Sequence, residues 1–207
     1  MRVCVIGSGL TALALAKALV NENIPVDISI SKTIKKISKI RTLGISKSNF
    51  DYFNKKIINI KKIIWKLNKI EIFSDNLKNE KILDFENSNN QLFSIIKNYQ
   101  LYEVLNKKLL KNKYFKKIKS KRKLIKIEKY NLIVNTEHNN AFTKKYFSKK
   151  IEKTYNSFAY TTVINHEKIS NQTAIQIFTK IGPLAFLPLS KNKTSIVYSI
   201  YNSKDVD

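Results

Sequence analysis

Cysteine is almost missing from this chain of 207 residues: one occurs, Cys4, inside the first apolar run. No disulfide framework can exist, and the lone thiol reads as a small buried apolar residue, in keeping with a reducing cytoplasm. Glycine occurs four times and proline three times, and two of the four glycines, Gly7 and Gly9, directly follow that first run. No uninterrupted apolar run approaches the roughly 20 residues needed to cross a bilayer. The two histidines, His138 and His166, lie far apart without cysteines or paired acids at ligand spacing, so the pattern offers no metal site. Ser8 and Ser46 lack the His and Asp partners of a hydrolase. Arginine is scarce as well: Arg2, Arg41 and Arg122 stand among 39 basic residues that bring the formal charge to +24.

Such a charge ordinarily points to nucleic acid or an anionic surface. Base-edge and bidentate phosphate recognition favour arginine, however. The lysines are spread among Ile, Asn, Tyr and Phe, all residues with AT-rich codons, so composition argues against a specific nucleic-acid partner. A basic nucleic-acid-binding protein stays as the alternative of another class, to be told apart by steeply salt-dependent binding that discriminates sequence or structure. What remains is the attraction of a lysine-rich face to an anionic membrane leaflet, about 1 kcal/mol per residue near the surface.

What the chain does have is concentrated at its start, MRVCVIGSGLTALALAKALV. Val3 to Ile6 reads as a buried parallel strand and Leu10 to Val20 as a helix, with Gly7-Ser8-Gly9 between them. Strand, glycine turn and helix is the order a dinucleotide site needs. Gly7 permits the turn, Gly9 lets backbone N–H groups close on a diphosphate, and Ala12 lets the helix sit against the strand. Leu10 opens the helix, whose positive end faces the phosphates. The Arg2 start and Ala14-Leu15-Ala16 imitate a secretory signal, but Gly-Ser-Gly interrupts the apolar stretch and Lys17 follows it closely. An ordinary core strand and helix is the bland alternative. Val26 to Ile30 alternates like a second strand, and at its end, where such folds place an acid for the ribose, the chain has Ile30, Ser31 and Lys32.

Farther on, Thr33 to Ile40 reads as a lysine-rich loop, and the spacing of Phe50, Phe53, Ile57, Ile60, Ile64 and Leu67 predicts helix over Lys47 to Leu67, broken near Asn59. Strands are expected over Ile70 to Phe73, Lys81 to Phe85 and Gln91 to Ile95, and a helix over Tyr99 to Leu110 with Leu101, Val104, Leu105 and Leu109 on one face. Tyr114 to Ile118, Leu124 to Glu128 and Leu132 to Val134 read as strands, as do Ser157 to Glu167, Ala174 to Lys180 and Thr194 to Tyr201. The fold class is α/β: a Rossmann-like domain with a parallel sheet, over 1–68 and 96–156, and a mostly antiparallel sheet domain over 69–95 and 157–207.

Gly7 to Ala12, Arg41 to Ser46, Phe93 to Leu105 and the run Gly182-Pro183-Leu184-Ala185-Phe186-Leu187-Pro188-Leu189 together resemble the flavin-dependent aromatic hydroxylases of ubiquinone biosynthesis. The last run is the most specific. The resemblance implies FAD held by the first domain, NADH or NADPH as reductant, and hydroxylation of the ring of a polyprenylated phenol with dioxygen. It implies that Gly7, Ser8, Gly9, Leu10 and Ala12 surround the FAD diphosphate, that Arg41 and Asn98 lie beside the flavin, and that Gly182, Pro183 and Pro188 shape the substrate pocket; no catalytic side chain is assigned. Similar proteins carry Asp-Gly where this chain has Glu137-His138, which keeps a carboxylate for the cofactor and loses a glycine. Their final Gly-Asp motif has no counterpart here, so the chain reads as an amino-terminal portion of such an enzyme. The same resemblance implies a cytoplasmic location, peripheral attachment to the inner membrane, and company with other proteins of ubiquinone biosynthesis.

Overall fold

A computed structural model of the chain describes residues 1–30, 37–75, 80–87, 91–119, 127–147, 149, 151–153 and 155–201. In chain order the first elements are β1 (Val3–Ile6), α1 (Leu10–Asn21), β2 (Val26–Ile30), β3 (Thr42–Ser46), α2 (Lys47–Tyr52), β4 (Ile64–Leu67), β5 (Lys69–Ser74) and β6 (Lys81–Glu86). They are followed by β7 (Phe93–Lys97), α3 (Asn98–Leu110), β8 (Phe115–Lys119), β9 (Leu132–Asn135), α4 (Ala141–Tyr146), β10 (Ser157–Asn165), β11 (Thr173–Thr179), β12 (Gly182–Ser190) and β13 (Lys193–Tyr201). Two compact units result, one of Met1–Ser38, Tyr52–Ile60 and Asn98–Glu152, the other of Lys39–Asp51, Lys61–Lys97 and Lys153–Asp207.

The first unit is built on a parallel sheet in the order β8-β2-β1-β9. Val3, Cys4 and Val5 are all fully buried, which is why β1 shows no alternation of apolar and polar residues. α1 buries Ala12, Leu13, Ala16 and Val20, and α3, packed beside it, buries Leu101, Leu105 and Leu109. Those three leucines recur every four residues, the helical face the sequence predicts, and full burial of each is worth about 2 kcal/mol. Beneath the sheet, Asp27 of β2 is 4% exposed. It accepts hydrogen bonds from Arg2 Nε (3.0 Å), Arg2 Nη2 (3.1 Å) and the Tyr130 hydroxyl (2.9 Å). This clasp ties the start of β1 to β2 and to the approach to β9. Burial, reinforced by the bond to Asp27, pushes the Tyr130 hydroxyl up to about 12. Burial likewise pushes the Cys4 thiol up to about 11, so Cys4 is an inert core residue.

The second unit contains a six-stranded sheet, β10-β13-β12-β11-β5-β6, and a three-stranded sheet, β3-β7-β4. Every pairing in them is antiparallel except β5 with β11. Leu67, Ile95 and Ala174 form a core against which Trp65, Ile70, Phe93, Leu187 and Leu189 pack. Trp65 Nε1 donates to the Asn171 carbonyl at 2.6 Å. The Asn171 amide in turn donates to Ser190 O (2.8 Å) and to Thr194 Oγ1 (3.0 Å), joining this core to the β12–β13 turn.

Two expected elements are corrected. The helix predicted over Lys47 to Leu67 breaks near Asn59 as expected, α2 passing into a π-helical turn, Phe53–Ile57, before an extended Ile58 (φ −163°, ψ 144°), but past a 3-10 turn at Lys61–Ile63 it does not resume. Asn54 Oδ1 accepts from the Ile60 N–H at 2.9 Å, and Ile64–Leu67 is strand β4, paired with β7. An aromatic and a β-branched residue placed beside an open ladder outweigh a short helical period. The strand expected over Leu124 to Glu128 is also absent from its described end, because Ile127–Lys129 is a 3-10 turn; Leu124 to Lys126 lie outside the described residues. Residues 39–51, 61–68, 96–97 and 153–156, grouped with the first domain on sequence, fall in the second unit.

Candidate functional site

At the carboxyl end of β1 three strands converge. The register pairs Ile6 with Ser29 and with Asn135, so the residue after β1 must lie beside the residue after β9. Gly7 has φ +133°, a conformation that side-chain-bearing residues rarely adopt. Its N–H donates to Ser29 O at 3.1 Å. A Cβ on Gly7 would lie 2.2 Å from Thr136 Oγ1 and 3.3 Å from Glu137 Cγ. Thr136 is fixed there because both its N–H (2.9 Å) and its hydroxyl (2.8 Å) donate to Ile6 O.

The chain then opens outward. Gly9 is the N-cap of α1, extended at φ −78° and ψ −179°, and no side chain caps the helix. Its carbonyl accepts from Leu13 N–H at 3.1 Å, and a Cβ there would find nothing within 4 Å. The first-turn N–H groups have no intrahelical acceptor by geometry, and that turn carries no acid. An open space at the positive end of a 12-residue helix suits an anion. Ala12, fully buried, lets α1 lie close to the sheet. These residues fit the diphosphate of a dinucleotide cofactor.

The adenosine side of such a site is different. β2 ends in Ser29 and Ile30, with no carboxylate; Ser31 and Lys32 lie outside the described residues. Beyond β9 the loop is held by its own amides. Glu137 N–H donates to Asn135 Oδ1 (3.1 Å), Asn140 Nδ2 to the same oxygen (2.7 Å), Asn135 Nδ2 to Thr143 Oγ1 (2.8 Å), and Thr143 Oγ1 to Glu137 O (2.9 Å). Asn140 caps α4 through Thr143 N–H at 2.9 Å. Among the described residues only Asn23 and Asn156 combine a side chain with positive φ. His138, which follows Glu137, therefore does not adopt the positive φ open to a glycine.

The structure thus sets Gly7, Ser8, Gly9, Leu10 and Ala12 along the bend from β1 into α1, with Glu137 beside Gly7. Asn98 belongs to the same unit, as the first residue of α3, and its Oδ1 is buried without a hydrogen-bond partner. Arg41, exposed just before β3, and the Gly182 segment belong to the second unit. Gly182 has φ +144°, and a Cβ there would lie 1.9 Å from Ser199 O. Thr179 Oγ1 donates to Gly182 O at 2.6 Å and closes the β11–β12 turn. Pro183 pairs with Phe178 near the start of β12, and Pro188 sits where the ladder to β13 shifts register and beyond the last pair with β11. Those are positions where a missing N–H costs little. Thr136 escaped the sequence reading, because only the parallel pairing of β9 with β1 places it against Gly7.

No family model matches the sequence, and no curated protein matches it. Solved structures do. The fold is that of the FAD-dependent aromatic hydroxylases. Similar structures include p-nitrophenol 4-monooxygenase PnpA from Pseudomonas putida DLL-E4, with a TM-score of 0.76, 12% identity, and coverage of 99% of this chain and 58% of that one. The pqsL protein of Pseudomonas aeruginosa, a probable FAD-dependent monooxygenase, gives 0.74 at 12% identity over 97% of this chain and 60% of its own. A variant of Klebsiella pneumoniae HpxO, complexed with FAD, gives 0.70 at 11% identity over 100% and 58%. The chain spans about three-fifths of the length of each of these proteins.

Proposed function

We propose that this chain supplies the diphosphate-binding unit and the sheet unit of an FAD-dependent monooxygenase that hydroxylates the ring of a polyprenylated phenol in ubiquinone biosynthesis, with NAD(P)H and dioxygen as co-substrates. The observation that carries the reading is the turn at Gly7 to Ala12, within a fold shared with FAD-dependent monooxygenases. FAD supplies the redox and oxygen chemistry when bound. The chain's own part is to bind and orient. The Gly7-Ser8-Gly9 backbone and the first turn of α1 hold the diphosphate, and Asn98 Oδ1 offers a buried acceptor to a ligand N–H or O–H. Glu137 keeps a carboxylate beside the turn. By resemblance Arg41 serves the flavin, and Gly182, Pro183 and Pro188 shape an apolar wall for the aromatic ring. Partners of the same reading are an anionic membrane surface, met peripherally, and other proteins of ubiquinone biosynthesis.

The test is titration of the purified chain with FAD, followed by flavin fluorescence, and then NAD(P)H oxidation with and without a prenylated phenol. Saturable uptake and phenol-stimulated oxidation are expected. Uptake without stimulation would confine the chain to cofactor binding. A specific observation favours a second reading, a non-catalytic remnant that folds without cofactor: β2 ends in Ile30 where a ribose-binding acid is needed. Failure to take up FAD at millimolar concentration would decide for it.

A further inference from the structure

The side of the first unit formed by α1, α3 and β8 carries a row of lysines, two of which, Lys17 and Lys117, donate to the amides Asn21 and Asn106. Because α3 buries Leu101, Leu105 and Leu109, a turn of 100° per residue puts Glu103, Lys107, Leu110 and Lys111 on its outer face. Lys108 lies on the flank toward α1. There burial first, and the charge of Lys108 second, lower the pKa of Lys17. On the other flank Lys117 of β8 donates to Asn106 of α3. A basic band therefore crosses three elements, from Lys17 through Lys108, Lys111 and Lys107 to Lys117. Among the described residues none of these five lysines lies within ion-pair distance of a carboxylate, whereas Lys69 and Lys81 in the second unit are paired with Glu71, Asp84 and Glu86.

Within the band Leu110 is 59% exposed. Crowded cations around an exposed leucine suit an anionic surface backed by an apolar interior, where headgroups neutralise the lysines and the leucine enters the acyl boundary. A nucleic acid would answer the charge but give Leu110 no place, and the band holds no arginine. We infer that the Lys17–Lys108–Lys111–Lys107–Lys117 band with Leu110 is the surface by which this chain docks on an anionic lipid leaflet. This rests on the peripheral-membrane part of the proposed function alone and is independent of flavin binding.

The experiment is sedimentation of the full chain with phosphatidylcholine vesicles, with and without phosphatidylglycerol. Two quadruple variants of equal net charge are compared: Lys107→Glu, Lys108→Glu, Lys111→Glu and Lys117→Glu in the band, against Lys66→Glu, Lys180→Glu, Lys191→Glu and Lys193→Glu in the second unit. Wild type is expected to bind only the anionic vesicles. The band variant should lose about a hundredfold or more in partitioning, at roughly fivefold per lysine, and the control less than tenfold. Lys→Gln at the four band positions serves if the glutamates unfold α3. Leu110→Cys carrying an environment-sensitive dye, selective because Cys4 is buried, should brighten on anionic vesicles. Equal losses in both variants, or a dye that stays dim, would overturn the inference. So would band-dependent RNA binding that displaces the vesicles. FAD uptake by the same variants reads the flavin proposal separately.

Discussion

Gly7 and Gly182 hold nearly the same backbone conformation, φ +133° and +144°, in the two units of the molecule, and they hold it for different reasons. Around Gly182 the obstacle is backbone: the Ser199 carbonyl in β13 would lie 1.9 Å from a Cβ, and Ser199 is held in the β10–β13 ladder opposite Ala159. Around Gly7 it is the far end of a side chain, Thr136 Oγ1 at 2.2 Å. Gly9, two residues on, has no obstacle at all. The sheet unit therefore spends its glycine on closing a turn. The parallel unit spends one on bringing strand ends together and keeps another where nothing of its own fills the space. The second pattern leaves room for a ligand, and the two glycine-bearing turns can be separated by substitution.

The largest effect is expected at Gly182. Gly182→Ala combines a strained φ with a clash against fixed backbone and should cost about 4 kcal/mol. Urea unfolding followed by Trp65 fluorescence reads it directly, since the only tryptophan packs against the core of the same unit. An unchanged midpoint would mean that β12 can begin by another route. Gly7→Ala comes next, at about 2 kcal/mol, and here part of the cost is reversible. Pairing it with Thr136→Ala removes the crowding oxygen, so the double variant should recover about 1 kcal/mol relative to the sum of the singles. Strict additivity would assign the whole cost to the backbone angle and remove Thr136 from the account.

The contrast also shows which parts of the molecule could be read in advance. β1, its glycine turn, α1 and β2 were legible because a buried parallel strand is a continuous apolar run and two of four glycines follow it. α3 was legible because Leu101, Leu105 and Leu109 face one side. Strand order was not, since nothing in a local pattern says that β9 lies beside β1, and with it went Thr136. β4 was hidden because Ile57, Ile60, Ile64 and Leu67 keep a helical spacing across a segment whose helix has already ended at Ile58. The pairing of Ile64 with Ile96 and Leu67 with Phe93 is a tertiary fact. At the site itself the glycines were readable from spacing alone. The buried, partnerless Asn98 Oδ1 was not, because it depends on what surrounds the start of α3.

The opposite end of β1 offers a smaller test of the same comparison. Where Gly9 leaves the space beyond one end open, Arg2, Asp27 and Tyr130 close the other. Tyr130→Phe removes one donor to a buried carboxylate and should cost about 1 kcal/mol at neutral pH. Because the native hydroxyl is raised from 10 to about 12, its contribution is fully present below pH 10 and is lost as the pH rises toward 12. The stability gap between wild type and Tyr130→Phe should therefore narrow over that window, while losses from lysine deprotonation cancel between the two proteins. A gap constant to pH 12 would mean that the hydroxyl is neither buried nor held by Asp27.

Gly9→Ala should perturb stability least, by about 0.5 kcal/mol, the small difference between two uncharged N-caps. Its value lies in dissociating binding from folding. A methyl group in the space before α1 touches nothing in the protein, so a tenfold or greater loss of FAD affinity at unchanged urea midpoint would show that a ligand approaches the backbone there. Gly7→Ala cannot give that result, because any loss of affinity in it is mixed with loss of fold. If Gly9→Ala binds FAD as tightly as the wild type, the diphosphate does not lie on this turn, and the open end of α1 needs another explanation.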